Sequence, residues 1–218
     1  MARQWRFLAM FKRIRRAFSA GAIMLAATAL LLPARADTAS VVAATYGELS
    51  VSPPTSASIH VCHGFGCKYR AELDLTAADR AALARMLAAG KASAAAERKA
   101  IGNAGAWFDR RVGPVAGTTG HVARANREYM FDKGQMDCID SSRNTTSLLL
   151  VLDELKLLHH HEVAEPVARG YLIDGRPPHV TAVLVEKATG TEWAVDSWTR
   201  AYGQAPEIMR LSLWKTLD

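Results

Sequence analysis

Three side chains that together can carry out acyl transfer lie in order along the chain: Cys138, His179 and Asp196, 41 and 17 residues apart. A thiol supplies a nucleophile, an imidazole a base, and a carboxylate fixes the orientation of that imidazole. Cys138 stands where the turn-prone run KGQMD gives way to a long apolar helical pattern, CIDSSRNTTSLLLVLDELKLL. A thiol at a helix start feels the positive end of the helix dipole and nearby free N–H groups, which favours its thiolate. Asp137 can cap that helix, yet Asp137 and Asp140 oppose a thiolate close to them, so the sequence leaves the net sign open. The backbone N–H of Cys138 is the expected donor to an oxyanion, with the amide of Gln135 as a second candidate.

The elements that carry these groups decide whether they meet. A helix is predicted from Cys138 to about His159. It is apolar on more than one side through Leu148, Leu149, Val151, Leu152, Leu155 and Leu158, and so deeply buried. His179 heads an alternating strand pattern, HVTAVLVE, and Asp196 lies near the end of a second, TEWAVDSW. Side chains alternate along a strand, so the turn length sets which residues share a face. With Lys187-Ala188-Thr189-Gly190 as the turn, Glu186 falls opposite Thr191 and Thr181 opposite Asp196. His179 is then diagonal to Asp196 on one face and within side-chain reach. A turn one residue shorter puts the two on opposite faces. Packing their shared face on the helix is expected to bring Cys138 within hydrogen-bonding reach of His179.

Elsewhere the signals are weaker. Residues 37–58 are small, polar and Pro-containing, and read as an extended lead-in. Residues 59–62 read as a short strand. Thr76 and Asp79 resemble a capping box opening a helix to about Ala89, with Leu83, Met86 and Leu87 facing the core. A second helix is predicted from Ala94 to Arg110, weakened by Gly102 and Gly105, and a long loop over 112–137. Strand patterns follow at 163–173, 179–186 and 191–198, with turns at Asp174-Gly175 and Pro177-Pro178. The run His159-His160-His161 reads as favourable charge at a helix C-terminus in preference to a metal site. Helices followed by an antiparallel meander give an α+β class, one domain over 59–218.

Residues 1–36 carry a basic start, an apolar run of about 16 residues and an Ala34-Arg35-Ala36 cleavage pattern. They read as a secretory signal peptide; the run is short of the roughly 20 residues that span a bilayer. The pair Arg15-Arg16 partly resembles a twin-arginine signal, with Ile14 before it, and leaves the export route open. The segment holds seven of the 27 basic residues and none of the 21 acidic ones, leaving 20 against 21. The high pI therefore belongs to the signal, and nucleic-acid binding has no electrostatic support. A periplasmic or secreted protein is expected, without membrane association after cleavage. Three cysteines in an oxidising compartment imply a pair and a leftover. Cys62 and Cys67 can bridge over a loop containing Gly64 and Gly66, leaving Cys138 free. Unrelated free thiols, or a metal site from His60, Cys62, His63 and Cys67, are the other readings, although that spacing matches no strong zinc pattern.

A Cys opening a helix, followed by His and Asp on successive strands, resembles the papain-like superfamily, and most closely its bacterial transglutaminase-like cysteine peptidase branch. The residues that carry the resemblance are DCID around Cys138, HVTAVLV from His179 and WAVDSW containing Asp196, within about residues 134–200. Met136 stands where the branch often has Gly, and Asp140 supplies its second acid. The resemblance implies a papain-like core, a central helix carrying Cys138 packed on an antiparallel sheet. It also implies a Cys138–His179–Asp196 triad, a peptide or protein substrate and no cofactor, with Trp198 shielding the His–Asp pair. The alternative is a secreted binding domain that keeps the fold without catalysis.

Overall fold

The computed structural model describes residues 37–47, 51–170 and 177–217. The proposed signal peptide, residues 1–36, lies outside them, as do the Asp174-Gly175 turn and the end of the strand expected to reach 173. No helix among the described residues is long and apolar enough to cross a membrane.

The lead-in opens with a helix instead of extended chain. In α1 (Thr38–Tyr46), Asp37 caps the first turn through Ala39 N–H, and Val41, Thr45 and Tyr46 are buried. The hydroxyls of Tyr46 and Ser147 lie 2.5 Å apart. Local propensity alone does not reveal such a segment, because burial of one face against the rest of the fold holds it. A hairpin follows, β1 (Ser58–His63) antiparallel to β2 (Tyr69–Asp74). Then α2 (Ala77–Ala88) starts with the expected capping box between Thr76 and Asp79.

Helix α3 (Ala94–Ala116) runs past Arg110, through Pro114, to a left-handed Gly117. Pro114 has no N–H to give the Arg110 carbonyl, and Tyr202 Oη donates to that oxygen instead, at 3.2 Å. The glycines of α3 admit close neighbours: a Cβ on Gly105 would stand 2.8 Å from Pro206, and one on Gly113 2.5 Å from Tyr202. Helix α4 (Cys138–Glu154) ends before His159, because Lys156 takes a left-handed φ of 58°. The three histidines therefore do not sit on a helix end. His161 begins β3 (His161–Arg169) and is fully buried.

Strands β3, β4 (His179–Glu186), β5 (Glu192–Asp196) and β6 (Glu207–Arg210) form an antiparallel sheet in chain order, followed by the one-turn α5 (Leu211–Trp214). The β4–β5 register pairs Ala182 with Val195 and Val185 with Glu192, which continues to Thr181 opposite Asp196. Gly190, at φ 68°, closes the four-residue turn, and Glu186 N–H donates to Thr191 at 2.9 Å. The architecture is α+β, with two antiparallel sheets.

The two faces of the larger sheet have different partners. Ala182, Leu184 and Val195 pack with the α4 residues Leu148, Leu149 and Leu152. Val183 and Ala194 pack with Leu211 and Trp214. By alternation His179 and Asp196 lie on this second face, so the expectation that their face would pack on α4 is corrected. Ala182, Leu184 and Val195 are the apolar residues that meet α4.

Candidate active site

His179 and Asp196 meet as the strand register requires, with His179 Nε2 donating to Asp196 Oδ2 at 2.6 Å. Both are buried, at 5% and 2% exposure. Asp196 Oδ2 accepts a second hydrogen bond from Trp214 Nε1 at 2.8 Å. The Trp214 and Trp198 rings pack 5.2 and 4.6 Å from the imidazole, centre to centre. Trp198 is itself fixed by an indole N–H donated to the Ala125 carbonyl at 3.2 Å. The imidazole thus has one nitrogen committed to a carboxylate and two aromatic walls. Its other nitrogen, Nδ1, is buried and has no hydrogen-bond partner among the described residues.

Cys138 is the first residue of α4 and is half-buried. Its sulfur accepts from the Val180 N–H, one residue along β4 from His179. Strand alternation explains that donor. Pairs 186–191 and 182–195 turn their main-chain groups toward β5, and β5 stops at Asp196, so Val180 has no strand partner on that side. Among the described residues no hydrogen bond joins Cys138 to His179 Nδ1. The thiolate expected from the helix dipole is also outweighed. Burial, with the charges of Asp137 and Asp196, pushes the Cys138 thiol up to about 11 against the hydrogen bonds from Val180 and its own N–H. At neutral pH the resting group is a thiol. No oxygen among the described residues accepts from the Cys138 N–H.

The start of α4 is held by the disulfide loop. Cys62 and Cys67 are bridged, with Cα atoms 4.5 Å apart, and Cys138 is free. Gly64, Phe65, Gly66 and Cys67 all have positive φ, which turns successive N–H groups inward. Phe65 and Cys67 donate to Asp140 at 2.8 and 2.6 Å, and Gly66 donates to Asp137 at 3.0 Å. Asp137 and Asp140 also form a reciprocal capping box. One turn further on, Asn144 bonds both the N–H and the carbonyl of Cys62, each at 2.8 Å. Burial and the neighbouring Asp137 push the Asp140 carboxyl up to about 7, against the N–H donors that favour its charge. The metal reading of the His60–Cys67 segment gives way here. Its two sulfurs are bonded to each other, and His63 Nδ1 donates to the Lys133 carbonyl at 2.8 Å.

Gln135 holds the preceding loop. Its side-chain oxygen accepts from Val122 N–H at 2.9 Å and its amide donates to Gly120 at 3.2 Å. The amide expected as a second oxyanion donor is thus already engaged with the Gly120 carbonyl. Sequence reasoning missed Trp214, Asn144 and the Val180 N–H. The one sequence clue to Trp214 is that a buried indole N–H needs an acceptor. No family model, curated protein or solved structure matches this chain.

Proposed function

We propose that this protein is an exported thiol enzyme, a cysteine peptidase or related acyl transferase of papain-like, transglutaminase-like architecture. The observation that carries the reading is the imidazole of His179. Asp196 orients it through Nε2, tryptophans wall it in, and Nδ1 is left without a partner one residue from the main-chain group that holds the Cys138 sulfur. A buried ring nitrogen with no partner is costly unless it has a use.

In the proposed reaction, a small rotation of the Cys138 side chain away from Val180 brings the sulfur to Nδ1. His179 takes the thiol proton as the sulfur attacks the substrate carbonyl, so the nucleophile forms during attack and is not stored as a thiolate. Asp196 stabilises the resulting imidazolium, and Trp214 holds the carboxylate in place. The tetrahedral oxyanion is held by the N–H of Cys138. Collapse protonates the leaving amine from His179 and leaves a thioester on Cys138. Attack on the thioester by water gives hydrolysis, and by an amine gives transamidation.

The second reading, a binding domain that retains the fold, is favoured by the missing Cys138–His179 bond and the raised thiol. An acyl-electrophile probe separates the two. The wild type should label at Cys138, Cys138→Ala should not label, and His179→Ala should label about a hundredfold more slowly or worse. Equal labelling of wild type and His179→Ala would leave the imidazole without a role and favour the binding domain.

A further inference from the structure

Beside His179 lies a cleft of about 230 Å³, lined among others by Arg124, Arg169, Pro177, Pro178 and Trp198. Two guanidinium groups and no carboxylate line it among the described residues. Arg169 is already engaged, donating to the carbonyls of Trp214 and Leu217 and stacking 4.4 Å from the Trp214 ring. Arg124 differs. Its main chain is locked, with φ 55° and its N–H donated to the Trp198 carbonyl at 2.7 Å. Its side chain is exposed and makes no hydrogen bond or ion pair among the described residues. A fixed backbone with an uncommitted guanidinium is suited to take an anionic group from a ligand, and guanidinium pairs best with planar carboxylates.

We infer that this cleft binds the leaving side of the substrate and that Arg124 selects a carboxylate there. The inference rests on the triad reading above. The imidazole that removes the thiol proton must return it to the leaving amine, so the segment after the scissile bond passes along the His179 side. The cleft is smaller than the roughly 300–1,000 Å³ of drug-sized pockets, so it suits one or two residues. The carboxylate is either the free end of a chain or an Asp or Glu side chain close after the bond. Both place the same chemistry against Arg124.

The Trp198 indole N–H, bonded to the carbonyl next to Arg124, is a reporter that needs no turnover. Its NMR resonance, assigned with Trp198→Phe, is followed on titration with alanyl-alanine, alanyl-glutamate α-amide (side-chain carboxylate free) and alanyl-alanine amide. At least one carboxylate-bearing peptide should bind about tenfold or more tighter than alanyl-alanine amide, and Arg124→Gln should remove most of that difference. Preference for alanyl-alanine identifies a chain terminus, and preference for the glutamate α-amide identifies a side chain. Equal binding of all three, no binding of any, or an unchanged preference in Arg124→Gln overturns the inference. Loss of probe labelling at Cys138 in the wild type, with the carboxylate preference intact, would instead count against the triad.

Discussion

Cys138 is a free thiol whose surroundings oppose its charge. Burial is the largest cause, and Asp137 and Asp196 add to it, so the thiol titrates at about 11 instead of its ordinary 9. In the proposed reaction His179 therefore acts at the moment of attack, because almost no thiolate exists beforehand at neutral pH. Alkylation of Cys138 by iodoacetamide should therefore still be rising at pH 10, where an ordinary thiol has levelled off. Asp137→Asn should lower the midpoint and speed alkylation a few-fold at pH 8, since Asn keeps a capping oxygen and removes the charge. A wild-type rate that is flat above pH 8 would mean a preformed ion pair and would refute general-base activation. These effects were half legible in the sequence. The two opposing influences, helix dipole and neighbouring acids, could be named from DCID alone. The weight of burial and the approach of Asp196 depend on how the helix meets the sheet.

The N-terminus of α4 and the disulfide loop behave as one device. Three N–H groups of the loop converge on Asp137 and Asp140, and Asn144 grips Cys62 one turn further on. The covalent bridge holds a run of positive φ that Phe65 and Cys67 would not otherwise keep. Cys62→Ser with Cys67→Ser should cost about 2 kcal/mol from loop entropy alone. It should also speed hydrogen exchange in the first turn of α4 more than in its middle, by loosening the cap that holds Cys138. Equal acceleration along the whole helix would show a general loss of stability and no local clasp. What could be read beforehand at this level follows a simple division. The capping box of α2 and the β4–β5 register rest on neighbours a few residues apart, and both were readable. Helix α1, strand β6 and the short α5 are fixed by packing against other elements, and local patterning missed them. The paired face of His179 and Asp196 was foreseen, but not which layer would cover it, because alternation assigns faces relative to each other and not to the core.

Across the fold as a whole, a second heavily connected buried carboxyl lies away from the site. Glu97, in the first turn of α3, is fully buried and gathers the segment that leaves α4 and enters β3. Its carboxylate accepts from the N–H groups of His159 and His160 at 2.5 and 2.8 Å and from His161 Nδ1 at 2.7 Å. Arg98 then donates to His161 Nε2 and to Glu186 at 3.1 and 2.8 Å, and lies 3.6 Å over the Trp193 ring. One carboxylate and one guanidinium thus tie α3 to β3, β4 and β5, the sheet that carries His179 and Asp196. Burial pushes the Glu97 carboxyl up, but the hydrogen bonds from His161, His159 and His160 outweigh it and hold it below the ordinary carboxylate range. An acid with a depressed folded value contributes stability that is present above its unfolded value of about 4 and is lost as pH falls through the folded value. Glu97→Gln places an NH₂ where donors already converge, and breaking such a buried pair costs roughly 3 kcal/mol at pH 7. The deficit should shrink as pH drops below about 4, because the wild-type carboxylate is then being protonated in the unfolded chain and next in the folded one. Urea midpoints of the two proteins at pH 7, 5 and 3 measure this directly. A deficit that stays constant across the series would show that Glu97 acts by its shape and not its charge. A variant that unfolds at pH 7 but labels normally at Cys138 wherever it is folded would place this network in the scaffold and leave the chemistry to the residues at the other end of the sheet.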